Sequence, residues 1–379
     1  MDRNLILRLL ISIGALIAIT TGLPACQNNK KADISGESLS GTSNLSYSYR
    51  CLAGMAGKDS LMLHLVTEPT GEGQVQINGY LHFGSGLAPL QVFSEPGACT
   101  DSLIQLEVAN IQNGESGRIS LMLQHNGNWE GIFNGFAPKP LKTVLSVVHP
   151  AGGLAFSSVH LDSTIRYKPD SVQPVARFGY HFLFSKGNDW LKDSVLAEIH
   201  GDSLCRAGGW DIRQVFNKQA ERFAGTFRED ADAFASDSMS FASLNYSQLF
   251  SPEVFYNQNG IFSLGLASYQ YSGGAHGILF TRCMNFDLRA RKRLKLQDLF
   301  IPGFEARLKA ELNAAAKARY KVKDLSEILL VSEIEPNDNF YLAKNGICFS
   351  FLPYEIAPFS MGEPLFYLPY SRLKDICKK

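Results

Sequence analysis

"YQYSGGAHG", Tyr269–Gly277, is the stretch on which the fold turns. Tyr269 and Tyr271 stand two apart, the period at which side chains share one face of a β-strand, and Ser272-Gly273-Gly274 then breaks the pattern. Glycine tolerates positive φ, so the pair marks a turn after an aromatic strand. Upstream, "NQNG" separates "EVFY" from "IFSLGLASYQY", which predicts a hairpin whose second strand ends in the glycine turn. Downstream, "TRCMNFDLRARKRLKL" predicts another strand pair turning at "RARK", and "NFYLAKNGICFSFLPYE" a hairpin around "KNG". "RFGYHFLF" places Phe178, Tyr180, Phe182 and Phe184 on one strand face. Helical segments stand apart from these hairpins. "NDWLKDSVLAEIHG" predicts a short helix stopped by Gly201. Ile212, Phe216, Gln219, Phe223, Phe227 and Phe234 recur near helical spacing and predict a long amphipathic helix whose aromatic stripe is core. "LQDLFIPGFEARLKAELNAAAKARYK" predicts a further helix with Pro302 near its start, and "PLFYLPYSRLKDIC" a last strand with a helical end. Helices segregated from antiparallel hairpins make an α+β domain in two parts.

Residues 45–168 read differently. "SLMLHLV", "QVQINGYLHF", "SLIQLEVANI" and "RISLMLQ" are short runs separated by "PTGEG", "FGSG", "EPGAC" and "QNGESG". Turn signals at that spacing predict an all-β meander, closed as a sandwich or a small barrel. "RYKPDSVQP", with Pro169 and Pro174, predicts a linker to an α+β domain over residues 169–379.

The start of the chain reads as an export signal over residues 1–25: Arg3 and Arg8, an apolar run from Leu9 to Ile19, then "LPAC". That close resembles a bacterial lipoprotein box, which implies lipidation of Cys26 and a membrane anchor, with residues 26–44 as a flexible tether. Gln27, Lys30 and Lys31 follow with no acidic run, which favours the periplasmic face of the outer membrane. Removing Arg3, Arg8 and Asp2 from the 36 basic and 36 acidic residues leaves 34 against 35, so no basic field exists to hold nucleic acid. Besides Cys26 there are six cysteines, and an exported chain permits disulfides; Cys51 with Cys99 is the expected pair, both lying in the first domain.

The glycine turn invites three chemical readings. "GGAHG" matches neither phosphate-loop pattern. His276 has no second histidine at ligand spacing, so neither a metal nor a cofactor is expected. Ser272 is not in a nucleophile elbow, and a Ser272–His276–Asp287 triad is not supported by short spacing.

Four landmarks in order carry a resemblance: "YQYSGGAH", "NFDL" (Asn285–Leu288), "LQDLF" (Leu296–Phe300), and "PYEIAP" (Pro353–Pro358) with Gly362. Residues 170–375 resemble the extracytoplasmic domain family found in the lysozyme-binding anti-sigma factor RsiV and ahead of the catalytic domain of the peptidoglycan deacetylase PdaC. The resemblance implies a two-part α+β fold and a binding module in the cell envelope. Its partner would be a lysozyme-like protein or a peptidoglycan fragment. No "TFDDG"-type deacetylase stretch occurs in the chain, so catalysis does not carry over. The binding residues expected on this basis are Tyr269, Tyr271, His276, Tyr354 and Glu355, on a monomeric protein. The competing reading is a hydrolase of wall or extracellular polysaccharide, with Asp287 or Glu355 as its acid or base.

Overall fold

The computed structural model describes residues 46–378, apart from 72–73, 85–87, 137, 171–172, 201–210 and 235–243. The expected export signal and tether (residues 1–44), with Cys26, and Cys205 lie outside the described residues.

The first eight strands are β1 (Ser48–Ala56), β2 (Asp59–Gly71), β3 (Gln74–Phe83), β4 (Leu90–Phe93), β5 (Leu103–Asn110), β6 (Ser116–Leu123), β7 (Trp129–Asn134) and β8 (Leu141–Val147). Each pairs antiparallel with the next, and β8 returns to β1 from Leu52↔Val147 to Ala56↔Thr143, closing a barrel. Alternation sends Leu61, Leu63 and Leu65 inward, where they meet Ile104, Leu106, Ile119, Leu121 and the buried Trp129. Closure needs Gly54, because a Cβ there would stand 2.0 Å from the Val144 carbonyl oxygen.

The next six strands form one sheet in the order β14-β13-β12-β11-β10-β9. They are β9 (Ser157–Arg166), β10 (Val175–Phe184), β11 (Tyr246–Gln258), β12 (Ile261–Ser272), β13 (Ile278–Asp287) and β14 (Lys292–Leu294). β9, expected within the first domain, pairs instead with β10 from Ser157↔Phe184 to Arg166↔Val175, so "RYKPDSVQP" is a hairpin connection and not a linker. β10 and β11 run parallel, which requires a crossover. The crossover carries α1 (Asp189–His200) and α2 (Ile212–Phe234). Both helices pack Leu191, Leu196, Phe216 and Phe227 onto Phe178, Tyr180, Leu266 and Phe286. Phe216 and Phe227 of the α2 stripe are therefore core, whereas Phe223 is half-buried and Phe234 at its end is exposed.

A three-stranded antiparallel sheet follows: β15 (Phe340–Ala343), β16 (Gly346–Ser350) and β17 (Leu365–Pro369). The long helical segment is split at Pro302-Gly303 into a single turn, α3 (Leu296–Leu299), and α4 (Glu305–Tyr320). α4 buries Leu308, Leu312 and Ala316 against Phe349, Phe366 and Leu368. Asn285 of the "NFDL" landmark fastens the two sheets. Its Nδ2 donates to Phe340 O at 2.8 Å, and its Oδ1 accepts from Leu342 N and Ser263 Oγ, both at 2.8 Å. Asn339 reciprocates, accepting from Cys283 N at 2.7 Å and donating to Thr281 O at 3.0 Å.

The barrel is fastened to the six-stranded sheet by buried polar pairs. Glu68 of β2 bonds His181 of β10 at 2.7 Å. Burial alone would raise the Glu68 carboxyl, but bonds from His181 and Ser251 outweigh it and hold the group below the usual carboxylate range. His82 is lowered to about 4 by burial, so a neutral ring donates from Nε2 to Phe255 O at 2.7 Å.

Cys51 and Cys99, expected as a disulfide, are buried free thiols. Neighbouring residues on a strand point to opposite faces. Leu52 and Cys99 share the barrel interior, so Cys51 faces outward through the wall.

Candidate functional site

The turn after β12 is built by its own residues. Gly273 and Gly274 adopt φ of +87° and +91°, and the Tyr271 hydroxyl donates to Gly274 O at 3.0 Å across the loop. Tyr269 lies buried beneath Gly277, where a Cβ would stand 2.5 Å from its ring. Tyr269 thus supports the turn from below and Tyr271 ties it.

His276 is exposed at the tip of this turn. Its imidazole stacks on Phe359 with centroids 3.8 Å apart and planes 14° apart. Tyr354 continues the stack, 5.9 Å from Phe359 at 25°. The first and fourth landmarks, far apart in sequence, therefore meet in one aromatic ladder. Leu330, whose amide donates to Ile356 O, and Leu352 extend it with exposed aliphatic surface.

Tyr354 is 54% exposed and has φ of +68°, a left-handed conformation that a bulky aromatic rarely adopts. Glu355 holds it there: Oε2 accepts from Leu352 N at 2.8 Å and Oε1 from Asn337 Nδ2 at 3.2 Å. Glu355 is thus the fastening of a turn. Asp287 likewise accepts from Arg289 N and Ala290 N at 2.9 and 2.8 Å in the β13–β14 turn. Among the described residues no hydrogen bond joins His276 to Ser272, Asp287 or Glu355, and no group of three or more His, Cys, Asp or Glu side chains is placed to hold a metal. The rim presents an exposed aromatic surface, and the Asp287 and Glu355 carboxylates each serve their own turn.

Residues 203–279 match the family model described as "Deacetylase PdaC", and residues 297–371 match "Protein of unknown function (DUF3298)". The C-terminal half resembles both domain families. The ladder straddles them, with His276 in the first interval and Tyr354 and Phe359 in the second. Among solved structures, a DUF3298 family member from Bacteroides fragilis is 26% identical with a TM-score of 0.55, covering 61% of this chain and 96% of that one. A DUF3298 family protein from Pseudomonas aeruginosa is 21% identical with a TM-score of 0.44, covering 60% of this chain and 97% of that one. No curated protein matches. The domain families are extracytoplasmic, and no helix among the described residues is long and apolar enough to cross a membrane.

Two features had escaped sequence reasoning. One is a pair of acids in the C-terminal half, Glu253 on β11 and Glu363 before β17, each raised to about 7 chiefly by burial. Each sits singly in an aromatic strand-like run, "PEVFY" and "GEPLFY", a pattern that reads as a solvent-facing position. The other is a groove between α2 and β11, whose signal was Gln219 standing within the helix's otherwise apolar stripe.

Proposed function

We propose that the chain is a non-catalytic binding module of the cell envelope, anchored by lipid at Cys26, that takes an extracytoplasmic protein of the lysozyme kind. The contact surface is the rim joining Tyr269–His276 to Pro353–Gly362. The observation that carries this reading is Tyr354, an exposed ring held in a strained conformation at the end of a His276–Phe359 stack. Strain of roughly 1–2 kcal/mol at a surface aromatic persists when the ring is presented for contact. Aromatic residues such as Tyr and Phe are enriched at protein-binding surfaces, and Tyr among their hot spots. The lysozyme preference comes from the resembling anti-sigma family.

The test is retention of a c-type lysozyme by residues 26–379. Phe359→Ala is expected to weaken it at least about tenfold, the effect of truncating a central aromatic. Tyr354→Gly is expected to weaken it as well while raising the melting temperature, since glycine adopts the same φ without strain. Failure of the unaltered chain to retain lysozyme ends the lysozyme assignment. A melting temperature lowered by Tyr354→Gly ends the argument from strain. The anchor is tested separately: Cys26→Ala is expected to abolish acyl labelling in cells, and unchanged labelling would refute it.

A further inference from the structure

The groove lies on the helical face of the six-stranded sheet, whereas Tyr269 and Tyr271 point to the other face. Gln219, Arg222, Thr226 and Asp230 follow one another at three- and four-residue steps, so they form one stripe along α2, with Phe223 beside them. Tyr246 and Gln248 of β11 face that stripe, and Ser272, the register partner of Tyr246, ends it beside the glycine turn. The space is about 470 Å³, within the range of roughly 300–1,000 Å³ typical of small-ligand sites. Gln270, the exposed partner of Gln248, carries the same strand face onward across β12.

The geometry points to a neutral oligosaccharide segment as the occupant of this groove. Its lining is dominated by carboxamides and hydroxyls, which both donate and accept, as sugar hydroxyls do. The Gln248 and Gln270 positions are one strand spacing apart, about 4.8 Å, so successive hexose units meet successive carboxamides. The half-buried Phe223 ring offers an apolar face to the C–H side of a pyranose. Arg222 adds a planar fork of donors from the exposed rim of the helix. Charge argues against a polyanion: Arg222 is balanced by Asp230, whose carboxylate already accepts from the Tyr246 hydroxyl at 2.9 Å. Strand addition by a peptide is blocked, because β11 at Tyr246 and Gln248 is paired with β10 on one side and β12 on the other. An apolar ligand would leave the carboxamides desolvated without partners.

Gln270 and Ser272 lie in the segment that also leads to the aromatic rim, but Gln248 and Arg222 do not, and the experiment keeps the two surfaces apart. Calorimetric titration of residues 26–379 with cellotetraose and chitotetraose is expected to show binding to at least one. Gln248→Ala and Arg222→Ala should each weaken it at least fivefold with unchanged melting temperature, and Phe359→Ala should leave it untouched. Absence of binding to both tetrasaccharides overturns the assignment. So does binding that neither Gln248→Ala nor Arg222→Ala alters.

Discussion

Replacing Asn285 by leucine is expected to lower the unfolding free energy by about 3–5 kcal/mol, although the two side chains share the same branched heavy-atom skeleton. Asn285 is 2% exposed and is the buried link between β13 and β15. Leucine would leave Leu342 N, Phe340 O and the fully buried Ser263 hydroxyl without partners, since no water reaches them. Each orphaned group costs roughly 1–3 kcal/mol, which is why the sum exceeds an ordinary core substitution. A domain of ordinary stability, about 5–15 kcal/mol, would keep little of its margin. Urea denaturation measures the loss, and hydrogen exchange at the Leu342 amide locates it. A loss below about 1 kcal/mol would show that the two sheets are held together by apolar packing and the Asn339 bonds, with little from Asn285.

That role of Asn285 marks where sequence reading stops. Strands and helices were legible because their periods are local: Phe178, Tyr180 and Phe182 alternate, and Phe216 and Phe227 recur near helical spacing. Partners are not local. Nothing in the alternation of Ser157–Arg166 says that it pairs with β10 rather than with the barrel, and nothing in β1 or β8 says that they close on each other. The Cys51–Cys99 expectation failed for the same reason, because sequence proximity does not show on which side of a wall a thiol stands. At the rim, His276 and Tyr354 stood out by their glycine and proline neighbours. Phe359, the ring that joins them, did not, because its role exists only once two distant segments meet. Glu355, expected among the binding residues, has its carboxylate on the Leu352 amide of its own turn and on the Asn337 side chain.

Raising the pH from 5 to 8 is expected to destabilise the protein through Glu253 and Glu363. The two belong to a junction of three substructures. Glu253, Gly265 and Cys283 are register partners across β11, β12 and β13, and Tyr341, Cys348 and Tyr367 are partners across the three-stranded sheet. Tyr80 of the barrel completes the cluster and donates to Glu253 Oε2 at 3.4 Å. Burial, then the charge of Glu363, pushes the Glu253 carboxyl up to about 7. Burial pushes Glu363 up to about 7 as well, against bonds from Ser350 Oγ at 2.6 Å and Thr281 N at 3.0 Å. A raised carboxyl stays protonated in the folded chain between its ordinary value of 4.5 and about 7, while the unfolded chain has already released the proton. Folding therefore holds extra protons in that window, and stability falls as pH rises through it. Above about 7 the penalty is complete and constant. Both side chains keep partial water contact, which limits the loss to about 2 kcal/mol for each group, and their coupling makes the two less than additive. Glu68 acts in a different window: its lowered value makes stability fall only as the solution turns acid below the ordinary carboxylate range. Glutamine keeps the acceptor oxygens that Tyr80, Ser350 and Thr281 use, so Glu253→Gln with Glu363→Gln is expected to flatten the decline between pH 5 and 8 and to raise stability at pH 8. Urea midpoints across that range read the effect directly, and a double variant with the slope of the unaltered chain would place the titrating groups elsewhere.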